Sequence, residues 1–311
     1  MLRIPRYTTL IDVAPGKYYH FGLEEGLLSS VEEIGCWPEK LEFDINIDGL
    51  PLTKSSNSQF WVLQGNVVGL NSPFAIGIYH GYTKPSSAKI LFEPFIQDYR
   101  RLQENCIDIG NDRKVPVSLR CIVCDAPAKA FVLNTTSHNS FNGCHKCQQR
   151  GKYIHRRVVY SSSKRDPRLD EEFENLCYED HQLGHSPLAG LGIGLVSQTI
   201  LDYMHVVGLG VTKKLLTLWT HGHNSFRISS NLIIAISGHL LRLRVNIPAE
   251  FQRKPRPLSE FKRWKFTELR TFLLYTSIVV LKSRLQKELY DHYLALFVQF
   301  SSLLHLTLQI I

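Results

Sequence analysis

Two aspartates and a cysteine pair are the residues of this 311-residue chain whose types and spacing best suit chemistry. Asp48 closes the alternating run LEFDINID, in which Asp44, Asn46 and Asp48 share one face of a strand because side chains alternate with a period of two. Asp125 follows the apolar run VSLRCIVC and precedes APAKAF, at the junction of a strand and a helix. Two carboxylates brought close together repel, so one takes a proton or both hold a cation. Mg2+ or Mn2+ suits such hard oxygen ligands, and a pair of ions can stabilise the attacking and leaving oxygens of an in-line phosphoryl displacement. The plainer use of the same residues is structural: Asp48-Gly49 can end a strand, and Asp125-Ala126-Pro127 can cap a helix. A third acid would separate the two uses. Asp202 and Glu268 are the candidates by position, both on helical stretches, and Asp202 stands one turn before His205, a spacing that lets the pair share a metal or a hydrogen bond.

Cys144-x-x-Cys147 is the second constellation, set in the basic segment GCHKCQQRGKYIHRR. The chain has seven cysteines and its first twenty residues lack a secretory apolar run, so a reducing compartment, and metal before disulfide, is expected. A closed zinc site needs four ligands, and His155, His181, His185 and His205 form the pool for the remaining two. A pair of buried free thiols is the alternative. Cys121 and Cys124, on the strand before Asp125, read as structural.

The elements that must position these groups follow from periodicity. Residues 41–47, 58–70 and 73–82 read as three strands joined by short turns, hence antiparallel. Residues 86–106 have helical spacing at Ile90, Leu91, Phe95, Tyr99 and Leu102 despite Pro94. A fourth strand closes on Asp125, and DAPA begins the next helix. Three meandering strands, a crossover helix and a fourth strand give the order of a ribonuclease H-like sheet, in which the helix returns the chain beside the first strand. The expected fold class is therefore α/β: a ribonuclease H-like mixed sheet, a Cys/His-rich insertion and a mostly α-helical C-terminal half. The expected divisions are an irregular segment 1–40, the first part of the core at 41–133, a metal-stapled basic insertion at 134–186, a helical insertion at 187–257, and C-terminal helices at 258–311 completing the core. Residues 195–219 read as helix.

Hydrophobic content of 44% and charged content of 21% fit a globular protein and exclude a disordered or collagen-like chain. A formal net charge of +8 favours a polyanionic partner. The cations gather in two clusters with interleaved aromatics, one containing Arg156 and Arg157 and the other Lys254, Arg256 and Lys265, and both suit phosphate contacts. A solvated surface is the plainer reading of each. Residues 293–311 carry no Asp, Glu, Lys or Arg, but polar residues interrupt them, and a buried helix rather than a membrane span is expected.

The segments INIDGLPLTKSSNSQFW, CDAPAKAF, GCHKCQQRGKYIHRR, SPLAGL, LDYMHVVGLGVTKKLL and FQRKPRPLSEFKRWKFTELRTFLLYTSIVVLK, taken in order, resemble transposase-derived proteins of invertebrate genomes, which are similar to CACTA-type cut-and-paste DNA transposases. The resemblance runs from about Pro15 to Tyr293. It implies a DDE/D nuclease core in which Asp48, Asp125 and Glu268 are catalytic and hold Mg2+ or Mn2+. It further implies that Cys144-x-x-Cys147 and Asp202-x-x-His205 shape a zinc-stabilised fold or a DNA-end contact, with Cys144, Cys147 and His205 as zinc ligands. DNA as partner, a nuclear location and a homo-oligomer complete what it implies. The start close to the first acid and the dissimilar tail SSLLHLTLQII suggest a truncated copy. A non-catalytic remnant, binding nucleic acid or protein through a zinc-stabilised module, is the competing expectation.

Overall fold

The computed structural model describes residues 9–32, 38–70, 72–110, 113–161 and 165–308. The chain divides into two compact units, the first ending at Leu201 and the second beginning at Asp202.

The first unit is built on a mixed sheet of seven strands. Its elements in chain order are β1 (Ile11–Val13), β2 (Gly16–His20), α1 (Leu23–Glu32), β3 (Leu41–Pro51), β4 (Gln59–Val67), β5 (Phe74–Gly81), α2 (Ala88–Asn105), the small hairpin β6 (Ile107–Asp108) and β7 (Lys114–Val115), β8 (Val117–Cys124) and α3 (Ala126–Val132). There follow the hairpin β9 (Lys152–Ile154) and β10 (Arg157–Val159), a short α4 (Asp170–Glu174) and β11 (Thr199–Leu201). Spatially the sheet runs β1-β2-β5-β4-β3-β8-β11. The meander β3-β4-β5 is antiparallel, whereas β8 and β11 join parallel to β3 and β8. A parallel neighbour needs a crossover, and α2 supplies it between β5 and β8.

Alternation fixes the faces of β3. Leu41, Phe43, Ile45 and Ile47 are buried, and Asp44, Asn46 and Asp48 face the other way. Ser87 N-caps α2 by accepting from the Ile90 backbone N–H. Leu91, Phe92, Phe95, Ile96, Tyr99 and Leu102 make its buried stripe, and Pro94 lies within the helix. Ile90, expected on that stripe, is instead 46% exposed. Asp98 on α2 accepts from the Leu23 backbone N–H at the start of α1 and pairs with His20 Nε2, both at 2.9 Å.

Three expectations change here. The region before residue 41 is not irregular throughout: β1 and β2 extend the sheet edge, and α1 buries Leu23, Leu27 and Val31. Within 195–219, Thr199–Leu201 is a strand rather than helix. The segment after residue 134 does not rely on cysteines in place of a core, because Phe173, Tyr178, Leu188 and Leu195 join the main hydrophobic cluster of the unit.

The second unit is helical: a π-helical stretch Met204–Thr212 continuing into α5 (Lys213–His221), then α6 (Ser230–Leu243), α7 (Phe266–Thr271), a second π-helical stretch Phe272–Thr276, α8 (Ser277–Leu281) and α9 (Lys287–Leu308). Its own core gathers Trp219, Phe261, Trp264, Phe272 and Tyr293. Among the described residues no helix is long and apolar enough to cross a membrane.

Candidate metal centre

Each polar group on the open face of β3 has a defined environment. Asp44 Oδ1 accepts from Arg120 Nε at 2.9 Å and from the Cys121 thiol at 3.0 Å. Burial, and then the Asp44 carboxylate, push the Cys121 thiol up to about 12. Asn46 Nδ2 donates to the Val123 carbonyl at 3.1 Å. Asp44 is therefore spent on β8, and Asp48 is the carboxylate that β3 carries just beyond its pairing with β8, which ends at Ile47. Replacing Asp44 by Asn should bring the Cys121 thiol back toward its ordinary acidity, read as a downward shift in the pH profile of its alkylation rate. Stability should fall by no more than about 1 kcal/mol, because Arg120 is 51% exposed and such pairs contribute little.

The alignment of β3 with β8 brings the two acids together. Phe43 pairs with Leu119 and Asp44 with Cys121, so Arg120 is one extra residue on β8, a bulge that turns its guanidinium onto Asp44. Beyond the bulge Ile47 lies opposite Cys124. The next residue of each strand is an aspartate. Oxygens of Asp48 and Asp125 lie within 4.8 Å of each other, and both side chains are partly buried. Asp125 also caps α3, its Oδ1 accepting from the Ala128 backbone N–H at 2.7 Å. The capping role and the metal-ligand role are thus compatible, since a carboxylate has a second oxygen to offer. Two oxygens on opposite sides of one Mg2+ stand about 4.2 Å apart, so the pair fits a divalent cation with a small side-chain adjustment.

The remaining sequence candidates fall in different surroundings. In the second unit, His205 Nδ1 lies 2.6 Å from Asp202 Oδ2. An Nδ1–H donated to such a carboxylate is the arrangement by which carboxylates orient metal-binding histidines. Glu268 is heavily engaged: Arg256 donates to its two oxygens at 2.6 and 3.0 Å, and the Lys265 backbone N–H donates at 2.8 Å. Burial works against its charge, but these donors outweigh burial and hold the carboxyl below its ordinary value. Arg256 is thereby a structural brace. Lys254 donates to the carbonyls of Ile247 and Pro248, also within its own loop. Lys265 is exposed. Arg156 and Arg157 are exposed at the β9–β10 hairpin, where His155 and Arg156 both take positive φ, 48° and 63°, as the tight two-residue hairpin turn requires.

Cys144 and Cys147 have their sulfurs 3.4 Å apart. Burial opposes ionisation of Cys144, but hydrogen bonds from Cys147 and from backbone N–H groups, with Arg168 nearby, lower its pKa. Among the described residues no third Cys, His, Asp or Glu ligand atom lies within 4.8 Å of both sulfurs, so the pair fits half of a tetrahedral zinc site. His145, between the cysteines in sequence, faces His181 across 3.4 Å instead, and each ring meets a backbone carbonyl with its other nitrogen: Leu195 for His145, Asn142 for His181. Burial pushes these imidazoles down to about 3 and about 4, so both rings are neutral at pH 7. Sequence reasoning missed this pair, although His145 inside the C-x-x-C was its visible sign. It also missed Arg120, whose part depends on a bulge that alternation does not reveal. Compared with known proteins, the chain matches no protein-family model and no curated protein.

Proposed function

We propose that this chain is a ribonuclease H-like, metal-dependent DNA strand-cleaving and strand-transferring core of the CACTA-type DDE/D transposase kind. The observation that carries the reading is the delivery of Asp48, within β3, and Asp125, just past the end of the adjacent parallel β8, to within 4.8 Å of each other. The strand order β5-β4-β3-β8-β11, with an antiparallel meander followed by two parallel additions, supports the ribonuclease H-like assignment. Mg2+ or Mn2+ held by these acids would supply Lewis-acid stabilisation of the oxygens of an in-line displacement. The protein's own contribution is orientation: the α3 cap fixes Asp125, and the β3 ladder fixes Asp48.

In this reading Glu268, the third acid implied by the resemblance, serves the second unit through Arg256. Its engagement also favours the second reading, a non-catalytic nucleic-acid or protein-binding remnant. DNA as partner, a nuclear location and self-association belong to the proposal as well.

Cleavage of labelled DNA by the purified chain in Mn2+, lost on Asp48→Asn, tests the nuclease; cleavage that persists in the variant removes it. Zinc at Cys144 and Cys147 is a separate part of the proposal. Metal analysis should show one zinc per chain, lost on Cys144→Ser, and equal metal content in both proteins would reject the site.

A further inference from the structure

A cleft of about 900 Å3 opens in the first unit between the start of α2, the outer side of α3 and the segment 183–189. Topology places its mouth. β3, β5 and β8 run in one direction, so α2, which leaves the C-terminal end of β5, begins on the same sheet edge at which β3 and β8 present Asp48 and Asp125. The opposite wall carries Phe131 from α3, the helix that Asp125 caps.

The lining is cationic. Lys89, Glu93, Ile96 and Arg100 recur at helical spacing along one stripe of α2, and Lys84 reaches in from the turn before it. Three fixed positive charges thus face one negative charge. Arg101 alongside is paired with Glu24 and Asp98, but none of Lys84, Lys89 and Arg100 has an ion-pair partner among the described residues. Lys84 Nζ lies 5.8 Å above the Phe131 ring, which joins an apolar face to a cation at one wall. Unpaired cations arranged along a groove, with an aromatic face beside them, are what a sugar-phosphate backbone and its bases use when bound without sequence preference.

We infer that this cleft holds a single nucleic-acid strand by its phosphates and leads it to the Asp48–Asp125 edge. The destination rests on the nuclease reading, whereas capture of the strand does not. A single strand fits because the cleft has the volume of a large small-molecule pocket, about 300–1,000 Å3 for that class, and a duplex would span it rather than enter it.

The test is fluorescence anisotropy of a labelled oligothymidylate with the full chain in EDTA, where no metal chemistry contributes. The wild type should bind, and Lys84→Gln/Lys89→Gln should weaken binding at least fivefold at about 0.1 M salt. It should also lower the slope of log affinity against log salt by about 1.4, or about 0.7 for each phosphate that is no longer neutralised. Lys287→Gln on α9 should leave both quantities unchanged, and unaltered thermal melting of the double variant excludes misfolding. An oligouridylate of equal length tells DNA from RNA as the source of the strand. A double variant that binds like the wild type, or a wild type without affinity for either strand, overturns the inference. Failure of the nuclease would instead appear as strand binding in EDTA with no cleavage in Mn2+.

Discussion

Asp48→Asn and Asp125→Asn are each expected to lower Mn2+-dependent DNA cleavage by at least about 10^3-fold, the equivalent of about 4 kcal/mol of transition-state stabilisation. Asparagine keeps the shape of either side chain and removes the charge that a hard cation needs. The substitution is informative at Asp125 because Asn caps helices as well as Asp does, so the bond to the Ala128 N–H at the start of α3 survives. Asp125→Ala would add a capping loss of about 1 kcal/mol and confound the two roles. The expected pattern is unchanged thermal melting, unchanged oligothymidylate binding in EDTA and no cleavage. Comparable cleavage by wild type and Asp48→Asn would mean that the two carboxylates serve only the sheet edge.

The second large effect is on stability. Glu268→Ala should destabilise the second unit by about 3 kcal/mol, at the lower end of the range for breaking one side of a buried ion pair. The lower end is chosen because the Arg256 side chain is 31% exposed while that of Glu268 is only 4% exposed. Water therefore reaches the guanidinium that is left behind. The pH dependence follows from the direction of the shift. The Glu268 carboxyl lies below its ordinary value when folded, so its stabilisation is complete above about pH 4.3, the unfolded value, and fades as pH falls through the folded one. Urea denaturation of the wild type should show this acid loss, and Glu268→Gln should lack that component. Glu268→Gln also separates the two roles proposed for this acid. A structural brace loses stability and keeps cleavage, whereas a catalytic acid loses cleavage beyond what the stability change explains.

The parts of the fold that could be read from sequence are those in which one local rule decides. Alternation in 41–48 identified β3 and placed Asp44, Asn46 and Asp48 on a common face, as observed. Asp125, whose plainer use was to cap a helix, does cap α3. Thr199–Leu201 was hidden because three residues carry no readable period, and the strand exists through its pairing with β8. At the opposite edge β1, also three residues, and the five-residue β2 were missed as well, and they too exist through pairing. Nor does the spacing of Arg256 and Glu268 announce their pairing. The 3-10 helix Leu258–Arg263 folds the chain back, and an arginine that looked available for phosphate is consumed.

The candidate site was legible as residues but not as geometry. Asp48 and Asp125 could be chosen from expected places at strand ends, but β3 runs on to Pro51, and their proximity depends on the register between strands far apart in sequence. His145 and His181 illustrate the converse, a buried pair that no motif spacing would join.

The surplus residue at Arg120 has a consequence for how this chain can change length. Exposed turns such as 52–57 can gain or lose residues at modest entropic cost, because lengthening a surface connection is thermodynamically cheap. Within Val117–Cys124 only the surplus Arg120 has such freedom, because without it Leu119 still meets Phe43 and Cys121 still meets Asp44. Deleting any other residue of β8 would slide Asp125 past Asp48 or turn the inner row of side chains outward. A descendant of this gene that keeps the rest of β8 intact while its loops drift would still carry the geometry, and a single lost codon outside Arg120 there would extinguish it.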